Sequence, residues 1–264
     1  MIKLDDVRVT FSARLAFSAD SLTLESGSTV ALMGPNGSGK TTMIRLVAGL
    51  LSPTHGSIST PADLVVSYVA QHQHQHQWMP LTVSEVLIMG RYRHRGLLGR
   101  LVDSDRRVVA RSAERLEISD LLSRRFSELS GGQRQRVLVA GALTVEASCL
   151  LLDEPITGLD LASQQIILDV IDSERAAGRL VVMSTHHIEE ARHCDRIILL
   201  NTVVVADGSP NVVLTETNLQ AAFGPRLLAT AGDGIEASRV IVIDEHGHGQ
   251  HIDSVSDTSL IKRP

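Results

Sequence analysis

The 264-residue sequence has few of the features that would direct a protein out of the cytosol. No apolar run reaches the ~18 residues that a membrane span needs. The acidic stretch Met1–Asp6 lacks the apolar core of a secretion signal. Only two cysteines are present, Cys149 and Cys194, and they offer no disulfide framework. We therefore expect a cytosolic protein with buried, reduced thiols.

The sequence also lacks an excess of basic residues. Lys and Arg together number 25 against 30 Asp and Glu, a formal net charge of −5, so there is no electrostatic case for a nucleic-acid partner. We find no internal repeat. What the chain does have is a 43% share of hydrophobic residues, which is enough for a sizeable core in one large domain or two small ones.

Short apolar runs alternate with helical patterns along most of the chain. Thr29–Met33, Cys149–Leu152 and Leu180–Ser184 are continuous and bounded by turn or polar residues, as is typical of parallel strands buried on both faces. Ile197–Leu200 and Val203–Ala206 are separated by two residues, which predicts a hairpin. The sequence therefore predicts an α/β fold whose mostly parallel sheet has antiparallel strands near its edges.

Two stretches depart from this alternation. Residues 82–141 have few β-branched runs and place Arg, Leu and Glu at helical spacing, which predicts a helical insertion. After residue 225 there is one strand-like run, Val240–Ile243, and then a polar stretch. We expect a core formed by residues 1–81 and 142–225, the insertion within it, and a small extension or partly disordered tail over residues 226–264.

The most informative stretch is residues 34–42, which fit the phosphate-binding pattern G-x-x-x-x-G-K-[ST] between a β-type run and a helical pattern. Glycines let successive N–H groups point at a polyphosphate, and the following helix adds the positive end of its dipole. Lys40 is expected to reach the β- and γ-phosphates, and Thr41 to complete Mg²⁺ coordination. The residues predicted to bind nucleotide here are Gly34, Pro35, Asn36, Gly37, Ser38, Gly39, Lys40, Thr41 and Thr42.

A second helix start also carries two glycines, within the pentapeptide Leu129, Ser130, Gly131, Gly132 and Gln133. Following a phosphate loop, it resembles the signature sequence of ATP-binding cassette (ABC) transporters, and the resemblance covers about Val7 to Pro210. It implies a P-loop NTPase core with an inserted helical subdomain. In that family the signature of one protomer closes over the ATP held by its partner. The resemblance therefore implies ATP, Mg²⁺ and a homodimer.

The resemblance also implies roles for residues elsewhere in the chain. Asp153, after an apolar run, would bind Mg²⁺ directly or through water, and Glu154 would polarise the attacking water. Gln71 matches the family's glutamine that senses Mg²⁺ and the γ-phosphate, and His186 matches the histidine that contacts the γ-phosphate. Asp160 lies in a match to the D-loop, which bridges the two sites of a dimer. Because every hydrolytic residue type is present, the resemblance implies an active ATPase and not a regulatory cassette.

Phe11 stands where the family usually has a tyrosine that stacks on adenine. Stacking needs only an aromatic face, so the resemblance implies the same role for Phe11. The alternative is that Phe11 belongs to the core.

The stretch Trp78–Tyr92 points to one branch of the family. It is similar to the W-x-x-P-L-T-V-x-x-V-x-x-G-R-Y pattern of ATPases that power import of manganese, zinc or ferrous iron. Such a subunit would sit at the cytoplasmic face of the membrane, against a separate permease served by an extracytoplasmic substrate-binding protein. Alternatives are the ATPase of an iron–siderophore or cobalamin-type importer, an exporter, and a soluble non-transport ABC ATPase. The last would carry a second cassette or a long coiled coil, and neither is present.

The histidine runs and a group of arginines each allow two interpretations. The histidines of two runs could face a metal in an extended chain or belong to polar loops; they are His72, His74 and His76, and His246, His248 and His251. Four arginines could form a solvated face or contact a membrane subunit or lipid headgroups; they are Arg91, Arg93, Arg95 and Arg100. We expect Trp78 and Arg91 to anchor the permease, because Trp and Arg are common interface anchors.

Overall fold

The computed structural model describes residues 1–71, 80–96, 99–224, 227–229 and 240–242. Trp78 and both histidine runs lie outside these residues. The hypotheses of a metal-binding histidine run and of a Trp78 anchor therefore stay predictions.

Most of the described strands belong to one mixed sheet. In chain order they are β1 (Ile2–Phe11), β2 (Arg14–Leu24), β3 (Thr29–Met33), β4 (His55–Ser59), β5 (Val66–Val69), β6 (Cys149–Asp153), β7 (Leu180–Thr185), β8 (Arg196–Asn201) and β9 (Val203–Gly208). Their order across the sheet is β4-β1-β2-β9-β8-β3-β7-β6-β5. The strands β8, β3, β7, β6 and β5 are mutually parallel, while β4, β1 and β2 form an antiparallel edge.

The helices surround this sheet and fill the long connection between β5 and β6. In chain order they are α1 (Lys40–Val47), α2 (Val83–Met89), α3 (Tyr92–Arg95), α4 (Asp103–Arg115), α5 (Gly131–Thr144), α6 (Leu161–Ala176), α7 (Ile188–Arg192), α8 (Pro210–Val213) and α9 (Glu216–Phe223). The predicted fold class, a mostly parallel α/β core with an inserted helical subdomain, is confirmed. No helix within the described residues is long and apolar enough to span a membrane.

The central strands explain why continuous apolar runs predicted them. Every residue of β3, β6 and β7 is buried, because helices cover both faces of a parallel sheet. The predicted hairpin is also present, since β8 and β9 pair antiparallel with a register shift between Leu199 and Leu200. Cys149 and Cys194 are both buried, and desolvation raises the pKa of each thiol to about 12.

The sequence analysis predicted antiparallel strands near the sheet edges, and this is confirmed, but it did not locate β1, β2 or β4. In β1 the buried residues Ile2, Leu4, Val7 and Val9 alternate with exposed neighbours, and the alternation slips at Asp6, whose φ is 45°. Period-two alternation is the signal of a half-buried strand, so the sequence does contain this strand pattern.

The helical insertion and the sheet share one hydrophobic cluster. Leu87 of α2, Ala113 of α4 and Val137 of α5 belong to the same buried cluster as Met33 of β3 and Leu152 of β6. Two helices start with capping boxes, α2 at Thr82 with Glu85 and α5 at Ser130 with Gln133. These reciprocal bonds satisfy N–H groups that a helix start leaves free. Helix α5 continues to Thr144, past the predicted end of the insertion at residue 141. The predicted domain boundaries stay a prediction.

Two short strands follow residue 225. The predicted strand is present as Val240–Val242 (β11), and it pairs antiparallel with Leu227–Ala229 (β10). The remainder of the predicted extension lies outside the described residues.

Candidate nucleotide site

The phosphate loop lies between the end of β3 and the start of α1. At Gly39 the backbone has φ 99°, and a Cβ there would lie 2.6 Å from the carbonyl oxygen of Ala16. Only glycine meets both conditions. No side chain caps the N-terminus of α1, because its N-cap residue is Gly39. Its first N–H groups therefore lack the side-chain acceptor that usually satisfies them, which is typical of a helix start that binds an anion.

The Lys40 side chain is folded against the loop that precedes it. Its Nζ donates to the carbonyl oxygens of Gly34 at 2.7 Å and Pro35 at 3.0 Å, and the residue is only 6% exposed. The ammonium group is therefore held where a polyphosphate enclosed by the loop would meet it.

A cavity of about 370 Å³ brings together residues that are far apart in the sequence. It is lined by Asn36 to Thr42 of the phosphate loop and α1, by Gln71 and Glu154, and by Phe11 and Arg14 of the first hairpin. Its volume lies within the range of small-molecule sites. Phe11 is 53% exposed, so the structure places this ring at the cavity and not in the core.

Oxygen atoms suited to Mg²⁺ meet beside the loop. Thr41 Oγ1 donates to Oδ2 of Asp153 at 2.9 Å, and the Tyr68 hydroxyl lies 3.4 Å from the same oxygen. Asp153 is 1% exposed. A buried carboxylate beside a hydroxyl, at the end of a phosphate loop, fits the donor set of a Mg²⁺ that also binds nucleotide phosphates.

Glu154, the residue after Asp153, lies beside His186. Nδ1 of His186 is 3.8 Å from Oε1 of Glu154, an ion-pair separation that exceeds hydrogen-bond length. The polar contact with His186 is the main influence that lowers the pKa of Glu154, and contact with Gln71 adds to it. The same contact with Glu154 raises the pKa of His186. Glu154 is therefore favoured as a carboxylate, the form that can orient water and accept a proton.

His186 also has a free hydrogen-bonding position. Its Nδ1 is buried and has no hydrogen-bond partner among the residues that the structure describes. A buried ring nitrogen without a partner is costly, and a bound ligand would relieve that cost.

The signature residues lie away from this cavity. Within the described chain Leu129, Ser130, Gly131, Gly132 and Gln133 are absent from its lining. The start of α5 instead faces the start of α6, since a Cβ on Gly132 would lie 2.8 Å from Oγ of Ser163 and 3.2 Å from Oδ2 of Asp160. Asp160 caps α6 by accepting the N–H of Ser163 at 2.9 Å. Gly132 therefore has a packing role within the chain in addition to any role at an interface.

The hypothesis that Arg91 lies on a surface is wrong. The residue is 5% exposed, and its guanidinium bonds to Asp105, Glu146 and the carbonyl oxygen of Thr144. It neither belongs to a solvated face nor is available as a permease anchor. Arg93, by contrast, is exposed.

Sequence reasoning missed two residues at the site. Ser184 bonds to both Asp153 and Glu154, and its signal was a polar residue at the end of an otherwise apolar run. Arg14 lines the cavity, and its position three residues after Phe11, across a tight hairpin, was the available signal.

Comparison with known proteins identifies the family. Residues 17–157, more than half of the chain, match the family described as ABC transporter. The chain belongs to the ABC transporter family. The resemblance predicted from the motifs is confirmed, and as a member of that family the chain is an ATP-binding ATPase subunit.

ABC proteins similar to this chain include several metal transport subunits. The manganese transport system ATP-binding protein MntA of Synechocystis sp. is 34% identical, covering 90% of this chain and 96% of MntA. The zinc import ATP-binding protein ZnuC of Yersinia enterocolitica is 36% identical over 86% of each chain.

Solved structures of ABC proteins superpose on most of the chain. An inward-facing ABC transporter described as metal-chelate type gives a TM-score of 0.73 at 29% identity, covering 84% of this chain and 88% of the other. A dimeric bacterial ABC transporter cassette gives 0.69 at 28% identity, covering 80% and 99%.

Proposed function

We propose that this ABC subunit hydrolyses ATP to power import of a metal ion, manganese, zinc or iron, through a separate membrane permease. The observation that carries the catalytic part is the cavity in which Lys40, Thr41, Gln71 and Glu154 converge around the phosphate loop. The cargo is proposed from the manganese and zinc systems to which the similar proteins belong.

The chain's own groups divide the work of hydrolysis. Lys40, now bonded to the loop carbonyls, would bind the β- and γ-phosphates, and Thr41 and Asp153 would hold Mg²⁺. When bound, Mg²⁺ neutralises charge that develops on the phosphates. Glu154 would orient the attacking water and accept its proton, and His186 beside it would contact the γ-phosphate.

We further propose that two copies share their sites. The signature at the start of α5 does not line the cavity of its own chain. The Ser130 hydroxyl proton and the N–H groups of Gly131 and Gly132, which the capping box does not use, can therefore serve a partner's ATP. The existence of a dimeric cassette of similar fold supports this arrangement. The dimer would bind the permease at the cytoplasmic face of the membrane, and a substrate-binding protein would deliver the cargo on the other side.

The catalytic proposal is tested by Glu154→Gln. The substitution keeps the size of the side chain but removes the base, so ATP should still bind while hydrolysis falls by ~10²–10⁴-fold. Glu189→Gln makes the same chemical change at an 89% exposed side chain of α7 and serves as the matched control. Turnover by Glu154→Gln at the rate of the control would remove Glu154 from this role.

The cargo is tested in cells. Deletion of the gene should lower the cellular content of one metal when manganese, zinc and iron are made limiting in turn. Restoration by the wild-type gene but not by Glu154→Gln would tie uptake to hydrolysis. Unchanged content of all three metals would favour a chelate importer or an exporter instead.

A further inference from the structure

Ser184 is a buried polar residue at the end of a strand that is otherwise mostly apolar. It is 0% exposed. In the sheet, β7 lies beside β6, and Ser184 is in parallel register with Asp153. This register places the Ser184 hydroxyl at the end of β6, where Asp153 and Glu154 follow each other in the chain.

The single hydroxyl of Ser184 makes two hydrogen bonds in complementary directions. It donates to Oδ1 of Asp153 at 2.5 Å and accepts the backbone N–H of Glu154 at 2.9 Å. A hydroxyl has one proton to donate and two lone pairs, so both bonds form at once. The bond to Asp153 has the short length of a hydroxyl–carboxylate pair.

The first bond fixes the orientation of the Asp153 carboxylate. With Oδ1 held by Ser184, the other oxygen, Oδ2, is the one that faces Thr41 Oγ1 at 2.9 Å. Without Ser184 the buried carboxylate could rotate about its terminal bond, which has a broad torsional preference. The oxygen beside Thr41 would then lose its defined position.

The second bond supports a strained backbone. Glu154 has φ 51°, in the left-handed region that residues other than glycine rarely adopt. Such a conformation persists at a site only where its surroundings hold it. The bond from the Glu154 N–H to Ser184 is one such restraint, and it sets the direction in which the Glu154 side chain leaves the strand.

We propose that Ser184 is a positioning residue that sets the Mg²⁺-facing oxygen of Asp153 and the backbone of Glu154 through one hydroxyl. The inference rests on the proposed function, in which Asp153 holds Mg²⁺ and Glu154 activates water. Groups that bond to a metal ligand typically contribute ~10–100-fold to metal affinity or activity. Ser184 therefore acts on both the Mg²⁺ requirement and the rate of hydrolysis.

The test compares Ser184→Ala with Ser184→Thr, which keeps the hydroxyl. Binding of a fluorescent ATP analogue is measured first in EDTA and then over a Mg²⁺ titration. Ser184→Ala should bind the analogue in EDTA as the wild type does, because the phosphate loop is untouched. Its half-maximal Mg²⁺ concentration should rise ~10–100-fold, and its kcat should fall at saturating Mg²⁺. Ser184→Thr should recover most of both losses.

Ser67→Ala is the matched control, since it removes a buried serine hydroxyl from β5 of the same sheet. Should Ser184→Ala fail to fold, the same measurements are made on Ser184→Cys. Because a thiol is a weaker donor than a hydroxyl, the half-maximal Mg²⁺ concentration should then rise by an intermediate amount. An unchanged Mg²⁺ requirement in the folded variant, or equal losses in Ser184→Ala and Ser184→Thr, would overturn the inference. Neither outcome contradicts the proposed function, provided that wild-type hydrolysis needs Mg²⁺ and falls in Glu154→Gln as expected above. A wild type that hydrolyses ATP without Mg²⁺ would contradict the proposed function itself.

Discussion

Replacement of Arg91 by alanine should destabilise the whole cassette, and the structure shows why. Nε of Arg91 donates to Oδ1 of Asp105 at 3.0 Å, and Nη1 donates to the carbonyl oxygen of Thr144 at 2.6 Å and to Oε2 of Glu146 at 2.7 Å. The side chain is 6% exposed. It therefore ties the connection between α2 and α3 to α4 and to the end of α5, across the interior of the helical insertion.

The expected loss follows from what remains after the substitution. Removing one partner of a buried ion pair costs about 3–5 kcal/mol. Arg95 and the backbone N–H of Val102 continue to bond to the carboxylate, so we expect the lower end for Arg91→Ala, about 3 kcal/mol. In a chain of this size each kcal/mol lowers Tm by about 2–4 °C, which gives a fall of about 6–12 °C.

Thermal unfolding followed by circular dichroism is the assay. Arg93→Ala is the matched control, because it removes an exposed arginine from the same segment. Arg91→Lys should lie between the two, since an ammonium keeps the charge but cannot reproduce the guanidinium fork. If Arg91→Ala melts at the temperature of the wild type, the buried network does not stabilise the fold.

Further outcomes can be stated for the site. Specific ATPase activity of the isolated subunit should fall on dilution if two chains share each site; constant activity down to the monomer would contradict shared sites. Gly39→Ala should abolish nucleotide binding, because its Cβ would meet the Ala16 carbonyl at a strained φ; measurable ATP affinity would refute this. Phe11→Tyr should keep ATP affinity while Phe11→Ala weakens it, which fluorescence titration would measure. In His186→Gln the acid limb of residual hydrolysis should move to higher pH, because the histidine that lowers the pKa of Glu154 is gone; an unmoved limb would exclude that coupling.

The sequence by itself determined the local elements and the family. The continuous runs at β3, β6 and β7 predicted buried strands because strands covered on both faces need no polar alternation. The phosphate loop and signature were equally visible, because a close approach of backbone to phosphate demands glycines at fixed spacing. Even the antiparallel edge left a pattern in the sequence, since apolar and polar residues alternate along β1.

The tertiary structure alone decided which of the polar residues act together. Arg91 carries the same charge as Arg93 and lies two positions away, yet one is buried in an ion-pair network and the other is exposed. Ser184 meets Asp153 only because β6 and β7 are neighbours in a particular register. Composition and spacing record what each residue can do. The burial of a charged residue such as Arg91 and the register between strands are instead set by contacts between segments far apart in the chain, and no local pattern encodes them.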